Sequence, residues 1–178
     1  MAQDTKQPLS RSQLQKHFGY ANALMTPRIE KIVVNTGVGR YDDQARKSIA
    51  QDLDELVGQH ASPTKARESI ASFKTRKGVV LGYRATLRGK RMRDFLSRMI
   101  HVAIPRMRDF RGIPLSAVDG SGNLHIGFRE HAVFPEMIGK ETRLLFGLQA
   151  SVVIHCRGRK EAMAFYRSLG VPLRKETA

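Results

Sequence analysis

Fourteen of the 31 lysines and arginines lie in residues 65–111, where Glu68, Asp94 and Asp109 are the only acids. That segment carries +11 of the chain's net +15. Clustered cations neutralise phosphates and release condensed counterions, so affinity falls by about 0.7–0.9 log units per contact for each decade of salt. Lys65, Arg67, Arg84 and Arg88 have the spacing of strand residues, and Arg91, Arg93, Arg106, Arg108 and Arg111 follow closely. Phe73 sits in a basic run, Ser72-Phe73-Lys74-Thr75-Arg76-Lys77-Gly78. An aromatic there either packs on a sugar or base or plugs its own hairpin.

Other chemistry finds little footing. Gly37 and Gly39 stand where a phosphate loop would, but no third glycine and no Gly-Lys-Ser/Thr follows, so a tight turn is the simpler reading. The six histidines form no His-x3-His pair and none lies at ligand spacing from Cys156. His155 and Cys156 are adjacent on a strand and point to opposite faces, which excludes a dyad between them. Cys156 reads as a small core residue, and Asp52, Asp54 and Glu55 read as a solvated helix face. No catalytic site, cofactor or metal is expected.

The elements that must position the cations follow from periodicity. Leu14, Phe18, Ala21 and Met25 predict a helix near 10–25, stopped by Pro27. Residues 28–36 predict a strand with Ile32 and Val34 on one face and Lys31, Val33 and Asn35 on the other. Ile49, Leu53 and Leu56 stripe a second helix, begun near Asp42 or Asp43 and closed by Gly58. In residues 79–88, Val79, Leu81, Tyr83, Ala85 and Leu87 want a core, while Val80, Gly82, Arg84, Thr86 and Arg88 face away. The same period of two puts Lys65 and Arg67 on one face of a preceding short strand. Met92, Phe95, Leu96, Met99 and Val102 predict a helix ended by Pro105. After the turn at residues 119–123, strands carry Leu124, Ile126 and Phe128 and then residues 149–156. A last helix over 159–169 turns Ala162, Phe165, Tyr166 and Leu169 inward and stops at Gly170. This order predicts an α+β fold: a mostly antiparallel sheet, helices packed on one face, the other face open and basic, and a long basic hairpin loop.

Composition bounds the function. A chain of 178 residues with 41% apolar content makes one domain with a real core, residues 1–9 flexible and 71–80 protruding. One cysteine excludes a disulfide framework and fits a reducing cytoplasm. No apolar run nears the ~18 residues of a membrane span, and the first ten residues lack a signal peptide's apolar stretch. The helix after Gly89 has a membrane-surface charge pattern, but its apolar face is needed for the core. Nucleic acid is therefore the expected polyanion, and no membrane partner is expected.

The motifs themselves resemble a family. Ile29-Glu30-Lys31-Ile32-Val33-Val34-Asn35-Thr36-Gly37-Val38-Gly39, Thr64-Lys65-Ala66-Arg67-Glu68-Ser69-Ile70 and Thr86-Leu87-Arg88-Gly89-Lys90-Arg91-Met92 are similar to bacterial ribosomal protein L-five. So are Pro105-Arg106-Met107-Arg108-Asp109-Phe110-Arg111-Gly112 and Phe134-Pro135-Glu136, and the resemblance runs in order from Leu14 to Leu173. It implies a two-layer α+β protein of the large ribosomal subunit, cytoplasmic or organellar. The sheet face would dock 5S rRNA in the central protuberance, in contact with 23S-type rRNA and other proteins there. By motif, Asn35, Gln59, Lys65, Thr86 and Arg88 fall at 5S rRNA positions, and the parity argument adds Lys31, Arg67 and Arg84. The loop Ser72, Phe73, Lys74, Thr75, Arg76 and Lys77 would approach the peptidyl-site tRNA. Arg106, Arg108 and Arg111, with the region 113–150, would meet rRNA or small-subunit head protein thirteen in an intersubunit bridge. Thr36 stands where the family has methionine, Ser121 where it has arginine, and residues 137–143 lack its Asp/Tyr-rich pattern. A free-standing RNA chaperone using the same surface is the alternative.

Overall fold

The computed structural model describes residues 13, 15, 18–73, 75–108, 110–137 and 144–174. The expected flexible stretch 1–9, Lys74, Asp109 and nearly all of the divergent stretch 137–143 lie outside the described residues. Strands β1 (Arg28–Gly37), β2 (Ser62–Lys65), β3 (Val80–Leu87), β4 (Leu124–Phe128) and β5 (Leu148–His155) form one sheet in the order β2-β3-β1-β5-β4. Helices α1 (Asp43–Val57), α2 (Gly89–Arg98) and α3 (Arg159–Ser168) complete a two-layer α+β fold. The described residues divide into two compact units, one of 31–108 with 127–151, the other of residues up to 30 with 110–126 and 152–174.

In the first unit the period of two sets the layers. Ile32, Val34 and Thr36 of β1 are buried, while Lys31, Val33 and Asn35 are half-buried on the opposite face. Thr36 donates its hydroxyl to the Gly147 carbonyl at 2.7 Å. Helix α1 begins where Asp42 accepts the Ala45 amide at 3.0 Å and ends where Gly58 turns left-handed at φ +69. Its buried residues are Ala45, Ile49, Leu53, Leu56 and Val57, the expected stripe. Asp54 is not simply solvated: its carboxylate accepts the Ala61 amide at 2.6 Å and holds His60 at 2.6 Å.

Helix α2 buries Met92, Phe95 and Leu96, then widens into a π turn over Met99–Ala103, where Ile104 N–H donates to Met99 at 2.9 Å. The extra residue in that turn shifts the helical phase. Val102, expected inward, is therefore half-buried, and Ala103 and Ile104 fill the core instead. Phe95 stacks on Phe134 at 5.7 Å between centroids, and Phe128 meets Phe134 edge-on at 5.2 Å.

His131 is fully buried, stacked on Phe146 at 4.1 Å, with its Nδ1 accepting the Phe146 amide at 3.4 Å. Burial holds its pKa below the ordinary imidazole value. The unfolded chain therefore binds the extra proton first, and stability falls as pH drops below about 6.5, by at most ~1.4 kcal/mol per pH unit. Urea unfolding between pH 7.5 and 5 should show this slope, which levels off below the folded-state pKa. His131→Phe, which keeps the stack, should remove that component; an unchanged slope would contradict it.

In the second unit Tyr166 of α3 is buried, and its hydroxyl lies 3.0 Å from the Gly122 carbonyl and 3.3 Å from that of Val152. Ala162 and Phe165 are buried beside it, and Gly170 ends the helix at φ +83. Gly122 has φ +88, and a Cβ there would lie 2.5 Å from Cys156 Sγ. Cys156 is half-buried rather than a core residue; its thiol reaches the Ser121 and Gly158 carbonyls, and burial pushes its pKa up. The continuous N-terminal helix is also corrected. Gln13, Gln15 and Phe18 are helical, but Gly19 turns left-handed at φ +67, and a separate 3-10 turn covers Ala23–Met25. Ala21 and Met25 are exposed as a result.

Candidate nucleic-acid interface

Antiparallel pairing brings the predicted face together. Asn35 lies opposite Arg84 and Arg84 opposite Ser62, while Val33 faces Thr86. Directly opposed residues share a sheet face, so Asn35, Arg84 and Ser62 form one row across three strands. The next row is Gly37, Gly82 and Thr64. A Cβ on Gly82 would stand 2.6 Å from the Thr36 carbonyl oxygen, so no side chain fits there. Two glycines face each other in this row, Gly37 exposed and Gly82 buried, a pairing that sequence parity did not single out. Lys65 then lies opposite Val80, because the register shifts between Thr64 and Lys65.

Exposure follows charge. Lys65, Arg67, Arg84 and Arg88 are exposed; Lys31, Asn35 and Thr86 are half-buried. Arg88 has extended backbone at φ −139, ψ 165, which carries the alternation of β3 one step further to the start of α2. Among the described residues no carboxylate stands on this face of β1, β2 or β3. Gln59 is tied to the edge of β3, donating from Nε2 to the Thr86 carbonyl at 3.3 Å.

Two expectations change. β2 stops at Lys65, so the shared face of Lys65 and Arg67 does not follow from strand periodicity; Arg67 is exposed in the turn beyond. Leu81, expected in the core, is 37% exposed, because its side chain lies over Gly39, which has none to cover it.

The β2–β3 hairpin folds on itself. Ile70 and Thr75 exchange backbone hydrogen bonds of 3.0 and 3.1 Å, and Ser69 Oγ accepts the Lys77 amide at 3.0 Å. Thr75 Oγ1 donates to the Phe73 carbonyl at 3.2 Å. Phe73 is 76% exposed, so it does not plug the hairpin. Ser72, Arg76 and Lys77 are exposed and Thr75 is half-buried. Arg106, Arg108 and Arg111 are exposed as well.

Arg98 is occupied: it pairs with Glu136 of the Phe134-Pro135-Glu136 motif. That motif is thus a core and ion-pair feature in the first unit. Among the described residues no group of His, Cys, Asp or Glu could hold a metal ion, and no helix is long and apolar enough to cross a membrane.

The chain matches the family model "Ribosomal protein L5" over residues 22–76 and the model of that ribosomal family's C-terminus over 80–173. Both are models of ribosomal proteins, a structural and non-enzymatic class. The large ribosomal subunit protein uL5 of Thermus thermophilus is 42% identical over 167 residues, 93% of this chain and 92% of its own. That of Anaeromyxobacter sp. (strain Fw109-5) is 41% identical over 167 residues, 93% of each chain. The protein of the same name from Dehalococcoides mccartyi is 38% identical over 166 residues, 92% of this chain and 93% of its own. The chain belongs to the ribosomal protein L5 family and is a structural protein of the large ribosomal subunit.

Proposed function

We propose that the chain binds 5S rRNA through the sheet face carrying Lys31, Asn35, Lys65, Arg84, Thr86 and Arg88, flanked by Gln59 and Arg67, and so helps attach it to 23S-type rRNA in the central protuberance. The observation that supports this best is the row Asn35–Arg84–Ser62, with Arg84 exposed at its centre. An exposed guanidinium flanked by Asn35 and Ser62 offers a phosphate a charged fork with amide and hydroxyl donors within reach. The hairpin residues Ser72, Phe73, Lys74, Thr75, Arg76 and Lys77 extend toward the peptidyl-site tRNA. Arg106, Arg108 and Arg111 reach rRNA or the small-subunit head protein thirteen. An exposed aromatic among cations suits stacking on a nucleotide.

Sucrose-gradient sedimentation of a cell lysate at low salt separates this role from that of a free-standing chaperone. The protein should migrate with large subunits in about one copy per 5S rRNA. A protein that stays at the top of the gradient would overturn the reading.

A further inference from the structure

The second unit contains a clasp that closes on the exposed Arg111. Ile113 N–H donates to the Pro172 carbonyl at 2.9 Å, and Arg174 N–H donates to the Ile113 carbonyl at 2.9 Å, forming an isolated parallel bridge centred on Ile113 and Leu173. The Arg174 side chain adds a second grip: its Nε–H lies 3.1 Å from the Gly112 carbonyl and 3.3 Å from that of Arg111. Gly112 is left-handed at φ +90, and a Cβ there would press on Arg174 Cγ at 3.1 Å and on the Pro172 carbonyl at 3.4 Å. The clasp is anchored behind by Val171, which is buried and donates to the Tyr166 carbonyl at 3.0 Å. An arginine side chain spent on two main-chain carbonyls fixes the peptide that carries Arg111, while the Arg111 side chain stays exposed.

We propose that Arg174 is a positioning residue: it locks the backbone of Arg111 and Gly112 so that the Arg111 guanidinium is presented to a phosphate of large-subunit rRNA. The inference rests on the reading above that Arg111 faces rRNA. A held backbone lowers the conformational entropy lost on binding, and a guanidinium misplaced by an ångström loses its directional bond.

The test is a double-mutant cycle in the full chain, with filter binding to naked large-subunit rRNA over a salt series. Arg111→Ala should flatten the log–log salt slope by about 0.7–0.9, the value of one phosphate contact. Arg174→Gln should flatten it by the same amount, and the double variant by no more than either single one. Gly112→Ala should reproduce the Arg174→Gln result, and Arg174→Lys, which can still donate to one carbonyl, should restore part of the slope. Amide exchange at Ile113 reads the clasp without RNA; it should quicken in Arg174→Gln while the amides of α3 stay protected. A double variant that flattens the slope by about 1.4–1.8 makes the two arginines independent phosphate contacts and overturns the inference while leaving the rRNA reading intact. An Ile113 amide as protected in Arg174→Gln as in the parent also overturns it. A silent Arg111→Ala overturns the rRNA reading of Arg111, and the inference with it; protein thirteen would then be the partner to try.

Discussion

Alanine at both Arg84 and Arg88 is expected to weaken 5S rRNA binding roughly 25- to 60-fold at 0.1 M salt relative to 1 M, from two phosphate contacts at about 0.7–0.9 each. The salt slope should flatten by about 1.4–1.8 in the same experiment. Both residues are exposed. Stability should therefore stay within about 0.5 kcal/mol of the parent. Arg84 is the more telling of the two, because it stands between Asn35 and Ser62 in the register. An arginine contributing only diffuse charge would give the same loss at any exposed position. Arg129, exposed and just past β4, is the control: Arg129→Ala should change affinity far less.

The largest effect on stability is expected at Phe134. Its ring is fully buried, stacked on Phe95 and edge-on to Phe128, so Phe134→Ala should cost about 3–5 kcal/mol in urea unfolding. Against the ~5–15 kcal/mol that holds a typical domain together, this approaches unfolding at ambient temperature. Phe134→Leu, which keeps most of the buried area, should lose less and leave a folded protein for assay. Its 5S rRNA affinity should match the parent. Near-parental stability with lost RNA binding would make Phe134-Pro135-Glu136 a contact motif instead of a core feature.

The contrast between these two sites shows what periodicity can reveal. Alternation in β1 and β3 was legible because one face is apolar, so Ile32, Val34, Ala85 and Leu87 went inward and Arg84 outward as expected. The caps of α1 were legible too, since Asp42 and Gly58 act within one turn of chain. Long-range and phase-shifting features were not. Between Thr64 and Lys65 the register shifts, so that Lys65 pairs with Val80 and Leu81 is passed over, and a period of two cannot express that. The π turn moved Val102 outward for the same kind of reason, an extra residue per turn. Leu81 is exposed because of Gly39, a neighbour 42 positions earlier in the chain. At the interface, charge marked the residues, but the row that sets Arg84 opposite Asn35 emerges only once β1 and β3 are in register. Phe134 and Glu136 were motif residues without a role until Phe95 and Arg98 were placed beside them.

The central claim is that the β1–β3–β2 face docks 5S rRNA. Hydroxyl-radical footprinting of 5S rRNA tests it most directly, with the parent protein and with the Arg84→Ala, Arg88→Ala variant at matched occupancy. A discrete protected backbone segment should appear with the parent, and part of it should be lost in the variant. An identical footprint from both proteins would place the RNA on another surface and contradict the account.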